Sequence, residues 1–277
     1  MQKKEKLTVL FIGDIFGLPG IITIEKYLRK IKNKYKVDYI IAQGENITGR
    51  KGLNELDYIR LKKAGIDFFT MGNHVWANDD IYNIINNNDI ARPYNINNSY
   101  PGQGTQVINI NNFSLRITSI MGQTFNELRH PWLESSSNSF LESIDNLLKS
   151  KDQSDFHLVD FHGETTSEKY IFGLHVDGKV DVVVGTHTHV QTNDAHLLPN
   201  GTAYITDVGM TGPIDCAIGA RFEEVRNKIV NPESREKFYV SSNNTQFNGV
   251  VIELTKNGLA RKKHKIKKIN LFDLKIY

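Results

Sequence analysis

Apolar runs of strand length recur along this chain, and each ends in glycine and a polar group. Leu7 to Ile12 runs into Gly13-Asp14, and Val37 to Gln43 into Gly44-Glu45-Asn46. Ile66 to Met71 runs into Gly72-Asn73-His74. Phe156 to Phe161 ends at His162-Gly163, and Val180 to Val184 at Gly185-Thr186-His187-Thr188-His189. The apolar residues are nearly continuous rather than alternating, which is the pattern of strands covered on both faces. After the first run a helical spacing covers Ile21 to Tyr35. A second covers Asn54 to Lys63, with Leu56, Ile59 and Leu61 as the expected inward positions. Strands alternating with helices predict an α/β fold with largely parallel strands.

The rhythm breaks twice. Asn83 to Gly104 is rich in Asn, with scattered Tyr, Pro and Gly, and reads as a loop or connector. Beyond Ala203, strand-like runs at Val250 to Leu254 and Leu259 to Ile266 suggest a second sheet completing a sandwich. No repeat or linker divides the chain, so the expectation is one domain spanning residues 1–277.

Composition narrows the class. An apolar share of 39%, a charged share of 23% and a net charge of +3 describe a globular chain. That balance is too even for a nucleic-acid coat or an anionic membrane surface. Cys216 is the one cysteine, which excludes an internal disulfide or a cysteine-rich metal cage and points to the cytoplasm. The first apolar run is short and interrupted by Asp14, unlike a signal peptide. No apolar stretch nears the ~20 residues of a membrane span, so no membrane partner is expected.

The polar groups at the strand ends carry the chemistry. Ligands of open α/β sheets bind beyond the carboxyl ends of the strands, and five such ends on one edge would gather these groups. Imidazole, carboxylate and amide oxygen suit iron, manganese or zinc. Asp14, Glu45, Asn46, Asn73, His162, His187 and His189 exceed the needs of one ion. Two ions about 3.5–4 Å apart would use them. If the segment is extended, His187 and His189 point the same way and could serve adjacent ions.

The order GD, GEN, GNH, a single His and GTHTH resembles the calcineurin-like metallophosphoesterases. More narrowly, the chain is similar to the YmdB-like bacterial 2′,3′-cyclic-nucleotide 2′-phosphodiesterases. FIGDIFGLPG, AQGENITGRKGL, GIDFFTMGNHVW, VDFHGETTSEK and the long VVVGTHTHVQTNDAHLLPNGTAYITDVGMTGP carry the likeness, from Phe11 to Pro213. Two departures from the broad superfamily, Phe16 in place of a metal-binding His and Glu45 in place of Asp, are features of the narrower family. The resemblance implies a four-layer α/β/β/α sandwich. Asp14 and His189 would hold one metal with Asn46 assisting, and Glu45 would bridge. Asn73, His162 and His187 would hold the second, and His74 would be the proton donor to the leaving oxygen. The ions would be a divalent or mixed-valence pair, iron foremost, with manganese or zinc compatible with the ligand types. A hydroxide shared by the two ions would open a cyclic nucleotide to the 3′-nucleotide, with 3′,5′-cyclic nucleotides as further candidates. Self-association into a homo-oligomer is also implied.

Taken singly, each residue has an ordinary reading as turn, helix cap or structural histidine. Agreement of order, glycines and strand-end context outweighs that for the set. A phosphomonoesterase or nucleotidase could use the same site, and a nucleotide- or RNA-binding regulator is the alternative from another class. Elsewhere, His130, His157, His175, His196 and His264 read as structural or surface groups. TTSEK (Thr165 to Lys169) reads as a helix start able to shape the His162 loop. Arg50 and Lys51 could reach a phosphate or only occupy a solvated turn. Asp207 could line the pocket, and Cys216 reads as a core residue. The basic run Arg261 to Lys268 has no aromatic residue to stack a base and reads as a solvated strand edge.

Overall fold

A computed structural model describes residues 6–149, 154–256 and 264–276. Its first part runs β1 (Lys6–Ile12), β2 (Asp14–Ile15), α1 (Gly17–Tyr35), β3 (Tyr39–Gln43), α2 (Glu55–Ala64), β4 (Phe68–Thr70), α3 (Ile81–Ile84) and β5 (Ile90–Ala91). The middle runs β6 (Thr105–Ile110), β7 (Phe113–Met121), α4 (Phe140–Leu148), β8 (Phe156–His162), α5 (Thr166–His175) and β9 (Val182–Thr186). The last part runs β10 (His196–Leu197), β11 (Ala203–Ile205), β12 (Met210–Pro213), α6 (Phe222–Val230), β13 (Thr245–Thr255) and β14 (Lys265–Leu274).

Two sheets face each other. One has the order β2-β12-β13-β1-β3-β4-β5, with β14 also paired to β13, and the other β10-β11-β9-β8-β7-β6. In the first, β1, β3, β4 and β5 are parallel; in the second, β7, β8, β9 and β11 are. Strand side chains alternate between faces, so continuous apolar runs supply two cores each. Val9 and Phe11 meet Leu158, Val182 and Val184 between the sheets. Leu10 and Ile12 turn outward against Ile24 and Leu28 of α1. Val159, Phe161 and Val183 turn the other way, against Ile144 of α4 and Phe172 of α5. The layers are therefore helix, sheet, sheet, helix. Each fully buried Val, Leu, Ile or Phe contributes about 1.5–3 kcal/mol to holding them together.

Several sequence expectations change. The first helix starts at Gly17 rather than Ile21, because Pro19 lies in the first turn, where its missing N–H costs nothing. In α2, Tyr58 and Leu61 form the inward stripe, while Leu56 and Ile59 are 76% and 39% exposed. The Asn-rich segment is not only connector, since it adds β5 beside β4. The C-terminal strands do not build the second sheet. β13 returns to the first sheet, antiparallel to β1, and β14 pairs with β13. Lys265 to Lys268 lie on β14, while Arg261 to Lys263 fall outside the described residues. Cys216 is half-buried in a loop, accepting a hydrogen bond from the Gly219 N–H at 3.3 Å, rather than packed in a core.

Candidate metal centre

The five polar strand ends converge, but from two sheets rather than from one edge. Asp14, Glu45, Asn46, Asn73 and His74 follow β1, β3 and β4 of the first sheet, and His162, His187 and His189 come from the ends of β8 and β9 in the second. Close approach of the two sheets makes the flanking glycines necessary. A Cβ on Gly72 would lie 2.3 Å from the His162 ring and 2.5 Å from Glu45 Oε2. Within the first sheet, where β2 pairs with β12, a Cβ on Gly13 would lie 2.0 Å from the Gly209 carbonyl oxygen.

Four side chains meet at His162 Nε2. Glu45 Oε1 is 3.0 Å away, Asn73 Oδ1 3.0 Å and His187 Nδ1 2.9 Å. Glu45, His162 and His187 each offer a ligand atom within 4.8 Å of the others, the spacing of a shared cation. Beside them, His189 Nε2 lies 3.3 Å from Asn46 Oδ1 and 3.7 Å from Asp14 Oδ1. Asp14 is fully buried, and its Oδ1 has no hydrogen-bond donor. A buried carboxylate oxygen without a donor is costly unless a cation meets it. The donor set therefore fits metal ions.

The surrounding groups fix which nitrogen faces inward. His162 Nδ1 is the outward nitrogen, 2.9 Å from Thr186 Oγ1, which donates to buried Asp160 at 2.7 Å, and 3.2 Å from Gln43 Nε2. His189 Nδ1–H donates to the Ile218 carbonyl at 2.8 Å, and His187 Nε2 lies 3.0 Å from Glu164 Oε2. Outer partners of this kind set tautomer and ring direction in metal-binding histidines. His187 and His189 are not in an extended segment. Their φ values are +101° and +65°, so a strained bend aims the two rings. Asp207 does not line the pocket. It lies under this bend, where Oδ2 accepts from Lys169 Nζ at 2.6 Å and from the Thr188 N–H at 3.1 Å.

Charge follows the same geometry. Burial raises the Glu45 carboxyl, but the imidazoles of His162, His74 and His187 outweigh it and hold the group well below the carboxylate range. Burial lowers His162, but Glu45 and its hydrogen bond push it up to about 9. A proton on His162 thus stands where a cation's charge would act. Burial and the neighbouring His162 push His187 down to about 2, leaving a neutral lone pair. Asp14 is raised by burial.

Phe16 packs edge-on against His189, with ring centroids 5.4 Å apart. The His74 ring does not reach His162 but lies beside the cluster, its Nδ1 3.4 Å from Asn73 Nδ2. Its backbone N–H donates to Glu45 Oε2 at 2.8 Å, and the side chain lines the cavities beside the centre. Arg50 lines the cavity beside Glu45 and His187, with Nε donating to the Phe238 carbonyl at 3.1 Å. Thr165 caps α5 by accepting from the Glu168 N–H. Glu168 in turn accepts from the Gln123 and Thr124 N–H groups. Of the other histidines, His264 pairs with Asp181 at 2.9 Å and His175 with Asp145 at 2.8 Å. Sequence reasoning missed Glu164 and Lys169 as partners of the centre. Both lay within the GETTSEK block, but only folding shows what they touch.

The profile of the family described as YmdB-like protein matches residues 10–269. The chain belongs to the YmdB-like family. It is 37% identical over 268 residues to the 2′,3′-cyclic-nucleotide 2′-phosphodiesterase of Bacillus subtilis (strain 168), covering 96% of this chain and 98% of that one. A solved structure of a phosphatase from Mycoplasma pneumoniae superposes with a TM-score of 0.85 at 38% identity, covering 96% of this chain and 94% of that one. A second, of a hypothetical protein from Thermus thermophilus, gives 0.84 at 32% identity, covering 95% and 99%. The fold is the metallophosphoesterase sandwich, and the chain is a metal-dependent phosphoester hydrolase.

Proposed function

We propose that the protein hydrolyses 2′,3′-cyclic nucleotides to 3′-nucleotides at a two-metal centre. The convergence of Glu45, Asn73 and His187 on His162 beside the donorless Asp14 carries this reading. The activity named for the Bacillus relative supports the substrate class.

In this reading Asp14, Asn46 and His189 would hold one ion, and Asn73, His162 and His187 the other, with Glu45 available to both. Two divalent or mixed-valence ions, iron first, would supply an ionised water and neutralise phosphate charge. The chain's own residues do the rest. The buried carboxylates of Asp14 and Glu45 give the region the negative charge that would retain such ions. Water oxygen forms a new bond to phosphorus, and the bond to O2′ breaks. A proton passes from the His74 imidazolium to O2′, and the 3′-phosphate remains. His74 suits that task because it lines the cavities from a position next to Asn73 without meeting His162 itself. A donor placed in this way contributes about 10²–10⁴ in rate.

Hydrolysis of 2′,3′-cyclic AMP, with and without chelator, tests the reading. Metal-dependent release of adenosine 3′-monophosphate is expected. Release of the 2′-isomer would overturn the assignment of the leaving oxygen. No turnover after loading with iron or manganese, together with hydrolysis of a nucleoside monophosphate, would make the protein a nucleotidase.

A further inference from the structure

Two cavities open beside the metal centre. One, of about 320 Å³, runs from Glu45, His187 and His189 to an apolar wall that includes Phe16 and Phe238. The other, of about 350 Å³, is lined by Asn73, Trp132, Arg129 and His130. His74 and Lys51 line both, so they form the ridge between them. Each volume lies at the low end of the roughly 300–1,000 Å³ that hold one small ligand. A single cyclic nucleotide fills one cavity and leaves the second without an occupant.

The two differ in chemistry. The first has the apolar wall that a flat base needs. The second mixes apolar and polar groups and carries cationic and planar side chains. Lys51 is exposed and has no ion-pair partner among the described residues. Among the described residues Arg129 pairs with exposed Glu127 alone, at 3.1 Å, and such a pair is weak and easily exchanged. Asp79 and Glu127 are the cavity's acidic members, and both are exposed at its rim. Arg129 and His130 offer exposed flat faces of the kind on which unpaired RNA bases stack. Trp132 is held rigidly behind them, its Nε1–H donating to the Asn73 carbonyl at 2.7 Å. This joins the cavity wall directly to a residue of the metal cluster.

The substrate's own chemistry says what continues from the first cavity. A 2′,3′-cyclic phosphate forms when a 2′-oxygen attacks the adjacent RNA phosphodiester. The O2′–P bond forms, the P–O5′ bond breaks, and the 2′-hydroxyl proton ends on O5′. The product is an RNA strand whose last ribose carries the cyclic phosphate and whose O5′ continues, through one phosphate, to the preceding nucleotide.

We propose that the second cavity is a subsite for the penultimate nucleotide of an RNA strand ending in a 2′,3′-cyclic phosphate. Lys51 meets the connecting phosphate, and Arg129 and His130 face the base. The supplying reaction is then RNA cleavage by transesterification. This inference rests on the cyclic-nucleotide reading above.

The test compares kcat/KM of the metal-loaded protein on 2′,3′-cyclic AMP and on the dinucleotide ApA with a terminal 2′,3′-cyclic phosphate. The dinucleotide is expected to be better by at least about tenfold, within the roughly 5- to 150-fold that one stacked base supplies. Lys51→Ala and Arg129→Ala should bring the ratio close to one. Lys51→Ala should also flatten the dependence of log kcat/KM for the dinucleotide on log salt by about 0.7, the share of one phosphate contact on a single strand. Equal kcat/KM for the two substrates in the native protein overturns the subsite and leaves the cyclic-nucleotide function standing. Turnover of neither overturns that function instead. Equilibrium titration with ApA 3′-phosphate and with adenosine 3′-monophosphate then decides the subsite. A tenfold preference for the dinucleotide that Arg129→Ala removes upholds it, and equal affinities reject it.

Discussion

His187 Nδ1 stands 2.9 Å from His162 Nε2, with the two rings at 89° to each other. Both outer nitrogens have partners of their own, Glu164 for His187 and Thr186 for His162. Two inward lone pairs at that separation repel unless a proton or a cation lies between them. His187→Ala and Asn73→Ala should each remove turnover beyond the roughly 10–100-fold that loss of an outer partner costs. Bound metal should fall in parallel while circular dichroism stays native. Full activity in either variant would remove that residue from the centre.

The role proposed for His74 separates proton donation from metal binding. His74→Ala should slow turnover by about 10²–10⁴-fold, the range for a lost general acid. Metal content should stay at the native level, since the ring is not among the atoms meeting at His162. Metal analysis and steady-state rates on one preparation check this. Loss of metal in His74→Ala would recast the residue as a ligand.

Glu164 is half-exposed yet accepts the outer side of His187. Glu164→Gln should weaken metal affinity by about 10-fold, the lower end for an orienting partner. Its thermal midpoint without metal should match the native protein, because little area is lost. Calorimetric metal titration reads the first effect, and a melting curve in chelator reads the second. Unchanged affinity would limit Glu164 to the cavity rim.

Lys169 and Asp207 are both buried, 2.6 Å apart, beneath the bend that carries His187 and His189. Lys169→Met leaves a buried carboxylate with only N–H donors. Breaking one side of such a pair costs about 3–5 kcal/mol. Urea unfolding at neutral pH should show that loss. A change near zero would mean that the backbone N–H groups of Thr188 and Gly209 alone satisfy Asp207.

Asp194 ties the loop after the paired histidines to β11. Burial raises its carboxyl, but hydrogen bonds from the Thr192 and Thr206 hydroxyls and the Thr206 N–H outweigh that and hold it below its ordinary value. A depressed folded pKa stabilises the fold above the unfolded value of about 3.9, and that contribution is lost as pH falls through the folded pKa. Asp194→Asn should therefore be less stable than the native chain near pH 6. The gap should narrow as pH falls below the unfolded value and close only once pH is below the depressed folded value, where the native carboxyl is itself protonated. Urea midpoints followed from pH 6 downward measure it. A gap independent of pH would make the loss one of shape rather than of charge.

Most of the elements, and the candidate donor residues, were legible in the chain alone. Continuous apolar runs such as VDVVV can only be buried on both faces, and each polar cluster follows such a run directly, so its place at a strand end is local information. The family likeness was equally legible in the motif order. Which strands share a sheet was not. β13 reads as well for either sheet, and its pairing with β1 comes from contacts between residues at opposite ends of the chain. The extended reading of His187-Thr188-His189 failed for the same reason. Positive φ at both histidines is held by Asp14, Asp207 and Ile218, none adjacent in sequence. The role of Glu164, the burial of Lys169 and the second cavity beside His74 likewise exist only once the two sheets face each other. Strand and turn propensities act over a few residues, whereas register, backbone strain and cavity shape are set by long-range packing, which local pattern does not encode.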